Sequence, residues 1–222
     1  MKENKIVLSV VVGSRLHKLN KEDSDWDTRG VFMHSLKDIL SPFKRIKNVS
    51  WVEGNEDNTA YELREFCKYA TKGNATILEI LWSNVIRENT TLGEELQKNR
   101  QKFLDSQAIF DAHRGYSESQ YRKMNLFTPD NRTPKFAVAY LRVLQQGKQL
   151  LEYGDFNPVV TEDRDFILDV KYNWRNSLIP ELSKKFTQAQ FELAEMHNRV
   201  GSKFKPDFDW IEEFLLRAYE DK

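Results

Sequence analysis

Two aspartates separated by one residue, Asp25 and Asp27, have the type and spacing of metal-binding residues. They open the stretch from Asp25 to Met33, which ends in an apolar run and is predicted to form a strand. Side chains two apart on a strand share a face, so both carboxylates would project together from a sheet edge. Adjacent carboxylates repel unless a cation lies between them, and ligand sets made only of oxygen suit Mg²⁺ or Mn²⁺. The pair therefore predicts a divalent metal site.

A glycine-serine pair precedes these aspartates. The almost uniformly apolar segment from Ile6 to Val12 predicts a central strand buried on both faces, and Gly13-Ser14 follows where this strand meets a short helix. Glycine lets the backbone approach a ligand closely, and free N–H groups at a helix start bind phosphate. A phosphate cradle facing a metal-binding carboxylate pair is what phosphoryl or nucleotidyl transfer from a nucleoside triphosphate requires. Arg15 comes next, and its guanidinium would either reach a phosphate or form an exposed salt bridge.

The sequence also predicts the environment of three other side chains. Trp26 lies between the two aspartates, so on a strand it points to the opposite face, and we expect it in the core. His17 follows the turn and is expected at the surface. Glu79 lies among apolar residues, so it is either partly buried with a partner or functional.

Composition bounds the class of protein. The 222 residues include 34 basic and 34 acidic side chains, and this zero net charge argues against a long, sequence-blind nucleic-acid footprint while allowing one RNA end in a local groove. The single cysteine, Cys67, excludes an internal disulfide and a cysteine-based zinc site, which fits a cytoplasmic protein. No signal peptide and no membrane-spanning run is expected, so a membrane is not among the expected partners.

Strand patterns are confined to the first part of the chain. Lys44 to Val52 and Asn55 to Ala60 are predicted strands, and Tyr61 to Thr71 is a predicted helix. Later segments with apolar residues three and four apart are predicted helices: Leu92 to Gln97, Ser106 to Met124, Lys135 to Tyr153, Phe166 to Tyr172, Ile179 to Val200 and Asp207 to Tyr219. We therefore expect an α+β protein with the strands at about 1–90 and a helical domain at 91–222.

Lys135 and Arg142 stand out in the second half. They are seven residues apart, so they fall on one face of the predicted helix. Two cations in line can hold a triphosphate or an RNA backbone. A solvated basic stripe is the alternative, and the spacing alone favours it.

Gly13-Ser14 followed by Ser24-Asp25-Trp26-Asp27 resembles the signature of the DNA polymerase beta-like nucleotidyltransferase superfamily. The longer string G-S-R … S-D-W-D-x-R-G-V-F resembles one branch, the predicted nucleotidyltransferases associated with RNA repair in bacteria and phages. The resemblance implies a catalytic core built on a mixed sheet with helices, and a helical domain that completes a cleft for nucleotide and acceptor. It implies two Mg²⁺ or Mn²⁺ ions, a nucleoside triphosphate substrate, and transfer of a nucleoside monophosphate to a hydroxyl with release of pyrophosphate.

The resemblance also implies roles for individual residues. Gly13, Ser14 and Arg15 become nucleotide contacts, and Asp25 and Asp27 become catalytic metal ligands.

Further roles come from residues later in the chain. A third catalytic metal ligand is needed on a neighbouring strand, and Asp57 matches the acid of the branch, with Glu62 as the alternative. Lys135 and Arg142 match a lysine and an arginine of the branch and are expected to contact nucleotide or RNA. Ala139 stands where the branch often has a histidine, so a proton-transfer role at that position is not inherited.

Three functions compete at this point. The first is transfer to an RNA end of tRNA type, and the second is nucleotidylation of a protein or a small molecule. The third is a non-catalytic RNA-binding module, against which the intact Gly-Ser and Asp-x-Asp motifs argue.

Overall fold

Alternating and apolar segments of the first ninety residues build a five-stranded sheet in the computed structural model, which describes residues 5–44, 48–53, 56–126 and 133–220. The strands are β1 Lys5–Val11, β2 Thr28–Met33, β3 Val49–Glu53, β4 Glu56–Glu62 and β5 Ile86–Asn89. Their order is β3-β4-β2-β1-β5. The β2–β4 pair is parallel and the other three pairs are antiparallel. The predicted mixed sheet is confirmed.

β1 lies inside the sheet, between β2 and β5, as its apolar sequence predicts. Val7, Leu8, Val10 and Val11 are completely buried. Their apolar side chains point to both faces of the sheet, which is the pattern of a strand buried on both faces. β1 therefore fixes the position of whatever follows its last residue.

Helices make up most of the remaining chain. They are α1 Gly13–Leu16, α2 Leu36–Leu40, α3 Leu63–Thr71, α4 Ala75–Trp82, α5 Thr91–Lys98, α6 Ser106–Leu126, α7 Thr133–Tyr153, α8 Arg164–Tyr172, α9 Ile179–Val200 and α10 Phe208–Glu220. Every helix predicted after residue 90 is present, with bounds that differ by a few residues. The combination of this mixed sheet with long helices confirms the α+β class. None of the helices in the described ranges has the length and apolar character that a membrane span requires.

Several predicted boundaries are wrong. β2 begins at Thr28 and not at Asp25. β3 begins at Val49 and not at Lys44, although 45–47 lie outside the described residues. β4 runs on to Glu62, so α3 begins two residues later than predicted. β5 is an additional strand that the sequence analysis did not predict, since its four residues are mostly exposed and lack an apolar alternation.

The contacts within the chain divide it into two compact units. The first contains Met1–Thr71, Thr76–Leu104 and Lys205–Lys222, and the second contains Lys72–Ala75 and Asp105–Phe204. The sheet and α10 thus belong to the same unit, although α10 is the last helix of the chain. The functional boundary at residue 90 stays a prediction.

In the first unit, α10 returns to the sheet-bearing part of the chain. Its Trp210 ring packs edge-on against Phe103, with ring centroids 6.0 Å apart. Lys102 Nζ lies 2.5 Å from the carboxylate of Asp207, just before the helix. The Tyr219 hydroxyl, near the end of α10, donates a hydrogen bond to Glu62. These contacts attach both ends of α10 to the first unit.

The second unit is a helical bundle built from α6, α7, α8 and α9. Tyr140 is completely buried, and its hydroxyl donates to the carbonyl of Leu182 at 3.1 Å. Burial raises the pKa of this hydroxyl above its usual range, so it stays a donor. Tyr121 stacks on Phe186, with ring centroids 4.0 Å apart. Aromatic packing and one buried hydrogen bond thus hold α6, α7 and α9 together.

Candidate active site

The ends of four strands meet at one edge of the sheet, which we call the Val11 edge. It is defined by Val11 at the end of β1, Thr28 at the start of β2, Asn58 near the start of β4 and Ile86 at the start of β5. Val11 pairs with Thr28, Thr28 pairs with Asn58, and Val10 pairs with Ile86. The residues that flank these strand ends are therefore brought together by the sheet itself.

Gly13 and Asp27 are in direct contact at this edge. The Val12 N–H donates to the Asp27 carbonyl at 3.0 Å, which extends the β1–β2 pairing past the ends of the strands. A Cβ built on Gly13 would lie 2.9 Å from Asp27 Oδ2, and Gly13 has a φ of +66°. The left-handed backbone favours glycine here, and any side chain at this position would displace the Asp27 carboxylate. The structure thus joins the predicted phosphate turn to one of the predicted metal ligands.

Asp25 and Asp27 lie on the loop before β2 and not on the strand, which corrects the predicted start of β2. Asp25 is exposed and Asp27 is half-buried. Arg15 holds this segment in place, because its Nε donates to the Ser24 carbonyl at 3.0 Å and its Nη2 to the Glu22 carbonyl at 3.0 Å. These hydrogen bonds give Arg15 a role in shaping the loop that carries Asp25.

Trp26 is exposed by 40%, so the expectation that it belongs to the core is wrong. The alternation that would turn it inward begins only at Thr28, where the strand starts. The guanidinium carbon of Arg15 lies 4.0 Å from the Trp26 ring centroid, and that of Arg87 lies 4.9 Å from it. Such distances are typical of cation–π contacts. The sequence analysis missed Arg87, because it missed the strand β5 that carries it.

The strand register bears on the third predicted ligand. Thr28 of β2 and Asn58 of β4 are partners in the parallel pair, and the residues before them are Asp27 and Asp57. The backbone of Asp57 pairs with Val52 in β3. The side chain of Asp57 lies outside the described part of the structure. The backbone register therefore brings Asp57 to the same end of the sheet as Asp27.

Asn58, which sequence reasoning passed over, fixes that register. It is buried, and its Oδ1 accepts hydrogen bonds from the Thr28 N–H at 3.2 Å and from the Thr28 hydroxyl. The sequence could have indicated this role, because Asn58 is a polar residue within a predicted strand. Burying a polar side chain is costly unless it is hydrogen-bonded.

Glu62, the alternative third ligand, lies at the opposite end of β4. It is completely buried. Its carboxylate accepts the backbone N–H groups of Arg64 at 3.0 Å and Glu65 at 3.4 Å, at the start of α3. It also accepts the Tyr219 hydroxyl, whose pKa is raised above the usual range by burial and by this hydrogen bond. Glu62 therefore caps a helix and connects it to α10.

Among the described residues, no three or more His, Cys, Asp and Glu side chains are grouped so as to hold a metal ion. Because the Asp57 side chain is outside that set, the predicted triad of Asp25, Asp27 and Asp57 stays a prediction. The donors that this triad would offer are all carboxylate oxygens, which is the chemistry that Mg²⁺ and Mn²⁺ prefer.

A buried ionisable pair lies behind the glycine-serine turn. His17 is exposed by only 4%, so its predicted surface position is wrong. Its backbone N–H donates to the Gly13 carbonyl at 3.1 Å, which closes α1. Its Nε2 lies 3.9 Å from Glu79 Oε2, and Glu79 is also buried. Of the two alternatives for Glu79, the structure therefore shows a buried carboxylate with a partner.

Lys135 and Arg142 both lie on α7 in the second unit. Lys135 is exposed and Arg142 is half-buried. Their predicted contacts with nucleotide or RNA stay a prediction.

The mixed five-stranded sheet, with a glycine-serine turn against Asp27 and a helical region after it, fits a polymerase beta-like protein. A family model described as RlaP, RNA repair pathway DNA polymerase beta family, matches residues 1–220. The chain belongs to this family. No curated protein matches the sequence.

Proposed function

We propose that this protein is a nucleotidyltransferase that moves a nucleoside monophosphate from a nucleoside triphosphate to an acceptor hydroxyl and releases pyrophosphate. The proposed acceptor is the 3′ end of an RNA of tRNA type. The observation that carries the proposal is the contact between Gly13 and the Asp27 carboxylate. It joins a turn suited to phosphate and a carboxylate suited to a divalent cation within one small region.

Asp25, Asp27 and Asp57 would hold two Mg²⁺ or Mn²⁺ ions in this proposal. When bound, such ions neutralise phosphate charge and lower the pKa of an acceptor hydroxyl. The contacts of Glu62 with α3 and with Tyr219 favour Asp57 as the third ligand, because the Glu62 oxygens already accept three hydrogen bonds.

The remaining residues of the proposed site bind and orient the substrate. The backbone N–H groups of Gly13 and Ser14, at the start of α1, would donate to phosphate oxygens, because the first N–H groups of a helix have no acceptor within it. Arg15 would keep Asp25 in position through its hydrogen bonds to the loop. Lys135 and Arg142 are the further cations proposed to contact nucleotide or RNA.

Membership in an RNA repair family supports an RNA acceptor over a protein or a small molecule. The zero net charge favours a short RNA contact, such as one end, over a long one. A short contact still predicts that RNA affinity falls as salt rises, in proportion to the phosphates neutralised.

The test is a transfer assay with each of the four α-phosphate-labelled nucleoside triphosphates, Mg²⁺, and bulk small RNA. We expect label to move to RNA, with one nucleotide preferred, and we expect Mg²⁺ removal with EDTA to stop transfer. Label that moves only to the protein would replace the RNA acceptor with a protein acceptor. No transfer to any acceptor by a folded sample would contradict the enzymatic proposal.

Asp25→Asn and Asp27→Asn test the metal assignment. Each should abolish transfer, because the amide lacks the charge that a divalent cation needs, while the melting temperature shifts by no more than about 2 °C. Asp23→Asn is the matched control, since Asp23 is exposed on the same loop and has no proposed ligand role. Full transfer activity in either of the first two variants would show the assignment to be wrong.

A further inference from the structure

Arg87 lies at the Val11 edge, on the side of β1 that faces away from β2. Val11 donates its N–H to the Val85 carbonyl at 2.8 Å, and Val10 pairs with Ile86. These backbone contacts place the start of β5 beside the end of β1, where the glycine-serine turn begins. Neighbouring strands lie about 4.8 Å apart, so Arg87 is one strand spacing from β1, whose end leads into the Gly13 turn.

The side chain of Arg87 is exposed, and its contact in the structure is with Trp26. No carboxylate within the described ranges forms an ion pair with it. A guanidinium that packs on an aromatic ring keeps its N–H donors available at its edge. The Trp26 ring thus positions the Arg87 guanidinium, and the N–H groups of that guanidinium can donate hydrogen bonds to a ligand.

The contact also gives a reason for an exposed tryptophan between two aspartates. The Trp26 ring has the guanidinium groups of both Arg15 and Arg87 over it, at 4.0 and 4.9 Å from its centroid. Arg15 uses its donors on the carbonyls of Glu22 and Ser24. Of the two arginines, Arg87 is therefore the one whose donors the loop backbone does not use.

The order of residues along the Val11 edge indicates what Arg87 would bind. From β4 to β5 the backbone carries Asp57, Asp27, Gly13 and Arg87 in turn. In the proposed reaction the carboxylates would hold the metal ions that act on the α-phosphate, and the Gly13 turn would bind phosphate on the β1 side. Arg87 is on the far side of that turn from Asp57. A positioned guanidinium beside a turn proposed to bind phosphate can contact the phosphates that the metal ions do not hold.

We propose that Arg87, held by Trp26, binds the β- or γ-phosphate of the nucleoside triphosphate. This inference rests on the proposed nucleotidyl transfer and adds a phosphate-binding residue to it. Arg87 would contact the substrate through charge-assisted hydrogen bonds, which a guanidinium makes in pairs with phosphate oxygens.

Arg87→Gln is the main test, with calorimetric titration of inorganic tripolyphosphate and Mg²⁺ alongside the transfer assay. We expect the Kd for tripolyphosphate and the KM for the triphosphate each to rise about tenfold, the size of one charge-assisted hydrogen bond. The KM for the acceptor should stay unchanged. Arg87→Lys should recover part of the loss, because it keeps the charge and loses the paired donors.

Arg64→Gln is the matched control. Arg64 is also exposed and in the first unit, but it follows the opposite end of β4, so its replacement should leave both constants unchanged. Wild-type Kd and KM in Arg87→Gln would overturn the inference, and a rise confined to the acceptor KM would reassign Arg87 to the acceptor. If the wild-type protein bound tripolyphosphate but transferred nothing, the proposed function would fail while Arg87→Gln still reported on the phosphate site.

Discussion

Two carboxylate regions lie at opposite ends of the β2–β4 strand pair and are built in opposite ways. Asp25 and Asp27 are exposed or half-buried, and one of them lies against a glycine. Glu62 is completely buried, and its carboxylate accepts two backbone N–H groups and a tyrosine hydroxyl. The same functional group therefore occurs once facing solvent and once enclosed by donors.

The difference separates a carboxylate that can bind a cation from one that stabilises the fold. A buried carboxylate is tolerated only when hydrogen bonds replace its lost hydration, and those bonds leave its oxygens committed. An exposed carboxylate next to a phosphate-binding turn is not enclosed by donors in this way, so it can bind a cation at lower cost. Substitutions in the two regions should therefore affect different measurements.

Gly13→Ala should have the largest effect. Its Cβ would lie 2.9 Å from Asp27 Oδ2 and would sit on a backbone with φ of +66°. We expect displacement of the carboxylate to lower the transfer rate about a hundredfold, and the left-handed backbone to cost about 1 to 2 kcal/mol of stability. Steady-state kinetics and urea unfolding measure the two effects. Unchanged kinetics would show that the Asp27 position does not matter to the reaction.

Glu62→Gln should show the reverse pattern. The amide cannot accept all three hydrogen bonds, so we expect the free energy of unfolding to fall by about 2 kcal/mol. Transfer per folded molecule should stay near the wild-type value, as measured at a temperature where both proteins are folded. Complete loss of transfer from a folded variant would instead make Glu62 the third metal ligand and remove the contrast between the two regions.

Tyr219→Phe should have a smaller effect at the same place. It removes one donor to Glu62 and keeps the ring, so we expect a loss of about 1 kcal/mol in the free energy of unfolding, measured with urea at neutral pH. Tyr153→Phe is the matched control. Tyr153 is 65% exposed, so this substitution should leave stability unchanged.

The effect of Tyr219→Phe should also depend on pH. Burial, and then the hydrogen bond to Glu62, raise the pKa of Tyr219 in the folded protein. The unfolded chain ionises its tyrosines near pH 10, so the stabilisation from Tyr219 is present below about pH 10 and is lost as pH rises toward the folded pKa. The stability difference between wild type and Tyr219→Phe should therefore narrow above about pH 10. A constant difference across unfolding measurements from pH 8 to about pH 11 would contradict this account.

The fold was largely predictable because its signals are local. The apolar β-branched segment before Gly13 predicted β1, and apolar spacings predicted the helices from α5 onward. Gly13 and Asp27 were both identified from the sequence, since glycine turns and paired acids have distinctive chemistry. Their contact depends on the β1–β2 pairing, which the sequence analysis did not predict and the structure shows.

The errors share a different physical origin. Trp26 was expected in the core because strand alternation was extended three residues too far, to Asp25. In the structure its ring lies under two guanidinium groups from other parts of the chain. His17 was expected at the surface because its buried partner, Glu79, lies on another helix. β5 was missed because an exposed edge strand is defined by its pairing with β1 and has no apolar alternation. Each of these depends on long-range contacts, which local pattern cannot encode.

The pairing of Glu62 with Tyr219 has a consequence for how the chain folds as it is synthesised. The two residues are 157 positions apart, and at about 5–20 residues per second a ribosome needs roughly 8–30 s to travel between them. During that interval the whole segment Asp105–Phe204 is translated, so the second unit has its residues before α10 exists. Until α10 has been synthesised, Glu62 lacks the hydrogen bond that the Tyr219 hydroxyl donates in the complete protein. Of the two units, the one that carries the candidate active site is therefore the later to be completed during synthesis.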